Sequence, residues 1–160
     1  MRADGFRTAQ LIALLLPLGL VGGALLSEQF GLVACEMCHW QRWPHYAAVI
    51  VAALSFVVRP RPVQMLFVLF AAALIAVSGG IGVLHAGVEY HWWQGITACS
   101  TTLASADPMA MLNEALRKPL VRCDVPQWTL FGISLAGFNA IFSLAGAVAI
   151  FGFAVRRARP

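Results

Sequence analysis

At 160 residues, 60% hydrophobic and only 11% charged, the chain lies far from the roughly 25% charged residues of a soluble domain. Its net charge of +4 would suit a nucleic-acid partner only if the basic residues shared one polar surface. They track the gaps between apolar runs instead, which argues against nucleic acid and for membrane topology. The expectation is a single integral membrane domain over residues 1–160, an all-α antiparallel four-helix transmembrane bundle.

The first apolar run, about 9–26, follows Arg2 and Arg7 and approaches the roughly 20 residues that cross ~30 Å of hydrocarbon. It could be mistaken for a signal peptide, and Leu32-Val33-Ala34-Cys35 resembles a lipobox that would make Cys35 a lipid attachment site. Ser27-Glu28-Gln29 separates the apolar core from that point, so the helix is expected to stay in place. Pro17 should kink it, an effect that neighbouring helices tolerate. Gly19 with Gly23, and Ser78 with Gly82, are spaced four apart, and both pairs would permit close helix approach in lipid.

A loop over about 27–42 leads to the second run, about 43–58. It is short, and spans the bilayer if it draws in Trp40 to Trp43 or if the bilayer thins locally. Arg59-Pro60-Arg61-Pro62 makes a tight turn, with prolines breaking the helix and arginines holding it at the water interface. The third run covers about 63–85. The next loop, about 86–127, is too long for a simple connector. Within it Asp107-Pro108 reads as an N-cap and a first helical proline, and Met109, Leu112 and Leu116 continue on one face. A short interfacial helix is expected there. The fourth run covers about 128–155.

Arg2, Arg7, Arg59, Arg61, Arg156, Arg157 and Arg159 fall on one side of this arrangement. Arg42, Arg117, Lys118 and Arg122 fall on the other, among six acidic residues. The positive-inside rule then makes both termini cytoplasmic. All four cysteines face the exterior, which in a bacterium is the periplasm, where disulfides persist. All five tryptophans flank helix ends on that side, where indoles favour the headgroup layer.

The chemistry-bearing stretch is Cys35-Glu36-Met37-Cys38-His39-Trp40-Gln41-Arg42. A C-x-x-C ring is too small to staple a fold and suits electron exchange. If the segment is helical, Arg42 projects one turn from Cys38, and a guanidinium and a helix N-terminus both favour thiolate. Pro44 fits best in a first turn, which would leave Cys38 to Arg42 in a turn before the main helix. Pairing Cys35 with Cys38 leaves Cys99 with Cys123, although four cysteines permit three connectivities. A Cys99–Cys123 bridge would close a loop of about 25 residues, worth ~3–4 kcal/mol in the chain-entropy model. His85 closes the third helix, with Glu89 one turn later if the helix continues. Such an ionisable group could serve a reducible molecule beside Cys38 or bond to lipid headgroups.

Cys35-Glu36-Met37-Cys38-His39 is also literally C-x-x-C-H, the c-type haem attachment signature. Met37, Met109, Met111 or another histidine could then be an axial ligand. That reading leaves Cys99 and Cys123 without a role and offers no domain to enclose a porphyrin. A four-cysteine zinc site is disfavoured because the second pair lacks close spacing. The histidines show no H-E-x-x-H pattern, and neither a Ser/His/Asp constellation nor a Gly-rich phosphate loop is visible.

The stretch resembles the C-x-L-C-x-x-E/Q-R pattern of the DsbB family of membrane thiol:quinone oxidoreductases, with Met37 in place of the usual leucine. The likeness extends over nearly the whole chain, including the cysteine pair in the second external loop and His85 before it. The resemblance implies that Cys35, Cys38, Cys99 and Cys123 are catalytic. A periplasmic DsbA-like thioredoxin-fold protein would attack Cys99, Cys123 would pass the exchange to Cys35, and Cys38 would face a quinone, ubiquinone or menaquinone, beside Arg42 and His85. Vitamin K epoxide reductase-like proteins also join four helices to cysteine pairs, but there the quinone-proximal C-x-x-C is expected late in the chain. A haem-carrying electron-transfer subunit is the non-catalytic alternative.

Overall fold

The computed structural model describes residues 2–97, 109, 116 and 122–155, with side chains from Gly5 onward. Four helices form the bundle: α1 (Arg2–Gln29), α2 (Glu36–Val57), α3 (Arg61–Glu89) and α4 (Leu135–Val155). Each of α1 and α3 packs against both α2 and α4. The start of α1 lies beside the end of α4, with Gly5 close to the Phe153 carbonyl. Arg61 at the start of α3 stacks 3.5 Å from the Phe6 ring centre. Both described chain ends and the arginine turn therefore share one end of the bundle, and Cys35 lies at the other.

Helices α1, α3 and α4 are long and apolar enough to cross a membrane, with mean hydropathies of 2.1, 2.4 and 2.0. The more polar α2 turns Gln41, Arg42 and His45 inward, so its polar groups are shielded by neighbouring helices rather than presented to lipid. It begins at Glu36, well before Trp43, and runs through Pro44. The early start has a local cause: the Cys35 sulfur accepts from the Cys38 amide at 3.2 Å, and His39 N bonds the Cys35 carbonyl at 3.2 Å. With the first turn capped in this way, Pro44 removes only one ladder bond. Cys38 to Arg42 are thus helical, and not in a preceding turn.

The fourth apolar run is not helical throughout. Thr129–Leu130 (β1) and Ile133–Ser134 (β2) pair antiparallel before α4 begins at Leu135. Phe131 and Gly132 carry φ values of 52° and 78°, the two positive angles that a type I′ turn requires. Tyr90 holds this hairpin to the end of α3: its hydroxyl donates to the Gly132 carbonyl at 2.8 Å and accepts from Ser134 N at 2.7 Å. Short apolar strands are indistinguishable from helix by periodicity alone. The interfacial helix expected from Asp107 lies outside the described residues except for Met109 and Leu116, both exposed.

The two small-residue pairs behave differently. A Cβ on Gly82 would stand 3.0 Å from both the Ala136 carbonyl oxygen and Ala140 N, so the Ser78/Gly82 pair does bring α3 and α4 together. Gly19 and Gly23 have no neighbour within 4 Å of an added Cβ. Instead of packing a helix they border a cavity between α1, α2 and α4, and their missing side chains leave room for it.

Candidate functional site

Cys35 is the N-cap of α2, and its sulfur lies 2.8 Å from that of Cys38. Both are free thiols. Cys35 is almost wholly buried, at 3% exposure, in a cluster with Met37, Val88 and Cys123. Cys123 is disulfide-bonded and packs in the same cluster as Cys35, whereas Cys99 lies outside the described residues. The Cys38 sulfur beside it, together with burial, pushes the Cys35 thiol well above the ordinary thiol range. Cys38 takes the half-buried position at the helix N-terminus, where the exposed backbone N–H groups favour an anionic sulfur.

Two side chains hold the loops together around this pair. Gln127 accepts from Val33 N at 2.9 Å and donates to the Val33 carbonyl at 2.6 Å, which ties the segment after Cys123 to the segment before Cys35. His85, on α3, has Nε2 3.5 Å from the Cys35 sulfur and 3.7 Å from Glu89 Oε1. Because α3 continues to Glu89, the expected one-turn spacing of His85 and Glu89 is present.

Arg42 points toward α1. Its guanidinium donates to Glu28 Oε1 at 2.7 Å and to the Ala24 carbonyl at 3.4 Å. Cys38, Arg42 and His45 follow at intervals of four and three residues, so they share one face of α2. All three border a cavity of about 300 Å³ between α1, α2 and α4. Its walls are mostly apolar, with Leu20, Val21, Leu135 and Phe142 among them, and its polar groups converge from Arg42, Gln41, His85 and Glu89. An apolar pocket with a few convergent polar groups is the usual form of a small-molecule site.

Behind the cavity runs a buried polar chain that the sequence reading did not single out. Gln41 Nε2 donates to His85 Nδ1 at 2.7 Å and to the Met37 carbonyl at 3.2 Å. Its Oε1 accepts from Asn139 Nδ2 at 2.8 Å. Asn139 Oδ1 accepts from His45 Nε2 at 2.9 Å and from Ser143 Oγ at 2.9 Å. Ser78 Oγ donates to the Gln41 carbonyl at 2.8 Å. A signal was present in the sequence: Asn139 and Ser143, four apart in an otherwise apolar run, are the kind of intramembrane polar residues that ask for partners.

Among the described residues, the ligand atoms of Cys35, Cys38 and His85 lie within 4.8 Å of one another. The four-cysteine zinc alternative does not fit, because Cys123 is held in a disulfide. Met37, offered as an axial haem ligand, is completely buried against Cys35 and Val88.

A family model described as disulfide bond formation protein DsbB matches residues 6–153. No curated protein and no solved structure matches significantly.

Proposed function

Because the chain belongs to the DsbB family of disulfide bond formation proteins, we propose that it is a protein-disulfide:quinone oxidoreductase of the bacterial inner membrane. In this reading it re-oxidises a periplasmic DsbA-like dithiol protein, with both termini cytoplasmic and the cysteines periplasmic. The observation that carries the proposal is the Cys35–Cys38 sulfur pair, 2.8 Å apart, at the border of an apolar intramembrane cavity with the disulfide-bonded Cys123 packed in the same cluster as Cys35.

The exchange is proposed to run as follows. A thiolate of the partner attacks Cys99 of a Cys99–Cys123 disulfide, forming a mixed disulfide and releasing Cys123 as thiolate. Cys123 attacks Cys35, which breaks the Cys35–Cys38 bond and releases Cys38 as thiolate into the cavity. The partner's second thiol then displaces Cys99 and leaves the partner oxidised. Cys99 attacks Cys123, restoring that bridge and releasing Cys35 as thiol. One dithiol has become a disulfide in the partner, and one disulfide has become a dithiol at Cys35 and Cys38.

Quinone, bound in the cavity, supplies the sink by accepting two electrons and two protons. Such a sink is needed because DsbA is itself a strong oxidant near −120 mV. Arg42, Cys38 and His85 are the residues proposed to hold the ring, and all three border the cavity. The relay joins two phases, since the partner is water-soluble and the quinone is lipid-soluble.

The test is to mix the Cys123→Ser protein, whose Cys99 is left as a free thiol, with the oxidised form of a periplasmic thioredoxin-fold protein, whose disulfide that thiol opens in the reverse of the first step, and to look for a mixed disulfide on acid-quenched, non-reducing gels. The adduct is expected, and is expected to disappear when Cys99→Ser is added. An adduct that survives the double substitution overturns the assigned point of attack.

A further inference from the structure

Three donor atoms converge where the N-terminus of α2 meets the last turns of α3. The Cys35 and Cys38 sulfurs are 2.8 Å apart, His85 Nε2 is 3.5 Å from the Cys35 sulfur, and all three lie within 4.8 Å of one another. Both sulfurs are free thiols, and two thiolates with an imidazole are a donor set that borderline-soft divalent ions prefer. Because the donor atoms lie against one another, an ion takes its place among them and not on an exposed surface.

The distances suit zinc. With Zn–S bonds of about 2.3 Å and a Zn–N bond of about 2.0 Å, a tetrahedral ion sets the sulfur–nitrogen edge near roughly 3.6 Å and the sulfur–sulfur edge near roughly 3.8 Å. The Cys35 to His85 edge, at 3.5 Å, already matches. Only the sulfur pair must open, by about 1 Å, and a turn of the half-buried Cys38 side chain achieves that. Cys38 also borders the cavity, which gives the ion its way in. Charge agrees: a dication with two thiolates is neutral, so the filled site leaves no net charge in the bundle interior. A Cys35–Cys38 disulfide offers no thiolate and no site.

We propose that Cys35, Cys38 and His85 form a zinc site that exists only in the dithiol state, with water in the fourth position. Binding releases both thiol protons: one Zn²⁺ and two thiols give a neutral bis-thiolate complex and two H⁺. His85 coordinates through Nε2, so its ring hydrogen moves to Nδ1. There Gln41 Nε2 donates at 2.7 Å, and the amide must turn to present Oε1 instead. That turn breaks the bond Oε1 accepts from Asn139 at 2.8 Å, so Gln41 restrains the affinity without abolishing it. The site goes beyond the quinone reading and stands independently of it, whereas one consequence rests on it. A pair held by zinc cannot re-form its disulfide, so zinc arrests electron transfer to quinone.

The experiment titrates Co²⁺ and then Zn²⁺ into the full-length protein in detergent, reduced and then freed of reductant under argon. The reduced chain is expected to bind one cobalt, with a thiolate-to-cobalt charge-transfer band and the visible spectrum of a tetrahedral ion, and to release it to zinc. The oxidised chain is expected to show neither, and an equal band there overturns the site. Cys38→Ser and His85→Ala are each expected to weaken cobalt binding at least about tenfold, whereas Gln41→Glu, whose carboxylate accepts the Nδ1 hydrogen, is expected to tighten it roughly tenfold. Unchanged affinity in His85→Ala, or weaker binding in Gln41→Glu, overturns the site. X-ray absorption of the zinc-loaded wild type is expected to count two sulfurs at about 2.3 Å and an imidazole nitrogen at about 2.0 Å. This measurement decides the matter even if a variant fails to fold, since any other sulfur count, or no imidazole, overturns the site. Zinc that fills it while quinone reduction continues overturns the quinone reading and leaves the site standing.

Discussion

Arg42 donates to Glu28 Oε1 at 2.7 Å, so the cation four residues beyond Cys38 is neutralised by the end of α1 before any ligand arrives. The pair is unequally buried, with 10% of the arginine side chain exposed and 34% of the glutamate. Removing the acid leaves a guanidinium largely buried without its counter-charge, whereas removing both groups does not. Glu28→Gln is expected to lower stability by about 1–2 kcal/mol, reduced from the fully buried case by solvent at the glutamate. Denaturation in detergent micelles checks this, with a cycle including Arg42→Met to isolate the coupling; an uncoupled pair would show the two losses simply adding.

Gln41 holds the site's hydrogen-bond directions. Because its Nε2 donates to His85 Nδ1, the His85 ring hydrogen sits on Nε2 and faces the Cys35 sulfur. Gln41→Glu replaces that donor with a carboxylate, so Nδ1 must carry the hydrogen and Nε2 turns bare toward Cys35. The expected outcome is a swap of the two ring-nitrogen signatures of His85 in ¹⁵N spectra and a several-fold slower exchange between Cys123 and Cys35. Retention of the wild-type tautomer would count against this assignment.

Gly82 is where backbone meets backbone. A methyl group there would lie 3.0 Å from Ala136 O and Ala140 N, neither of which can rotate away as a side-chain tip can. Gly82→Ala is therefore expected to cost roughly 1–3 kcal/mol. By contrast, Gly80, with nothing within 4 Å of an added Cβ, should accept alanine at no loss. Comparing the two melting curves tests the contrast, because helix propensity alone would favour alanine at both positions.

The two thiols of the C-x-x-C pair should differ in reactivity. The neighbouring Cys38 sulfur and burial hold the Cys35 thiol well above its ordinary range, so it stays protonated as pH rises through the usual ~8.5. Alkylation of the reduced pair at pH 7 to 8.5 is expected to label Cys38 first, by at least about tenfold, since the thiolate is the reacting form. Peptide mapping by mass spectrometry reads the order, and Cys35 labelled first would refute it.

The membrane class, the four helices and the C-x-x-C stretch with Arg42 were legible in the chain itself. Run length, composition and i to i+4 spacing are local properties that no distant residue can alter. The start of α2 was less legible, because Pro44 argued for a later beginning and the Cys35 sulfur cap outweighed it. The Phe131-Gly132 hairpin was hidden in a continuous apolar run, since its definition lies in two positive φ angles and in a Tyr90 hydroxyl from another helix.

Tertiary structure alone decided which polar groups meet. Gln41 and Asn139 are 98 residues apart, and Glu28 reaches Arg42 only because α1 and α2 pack side by side. In lipid, hydrogen bonding inside the bundle is the main relief for an intramembrane amide or imidazole, so its partner is set by helix packing rather than by sequence neighbours. Hence the chain declares that it handles thiols in a membrane, while the packing determines which nitrogen of His45 meets Asn139.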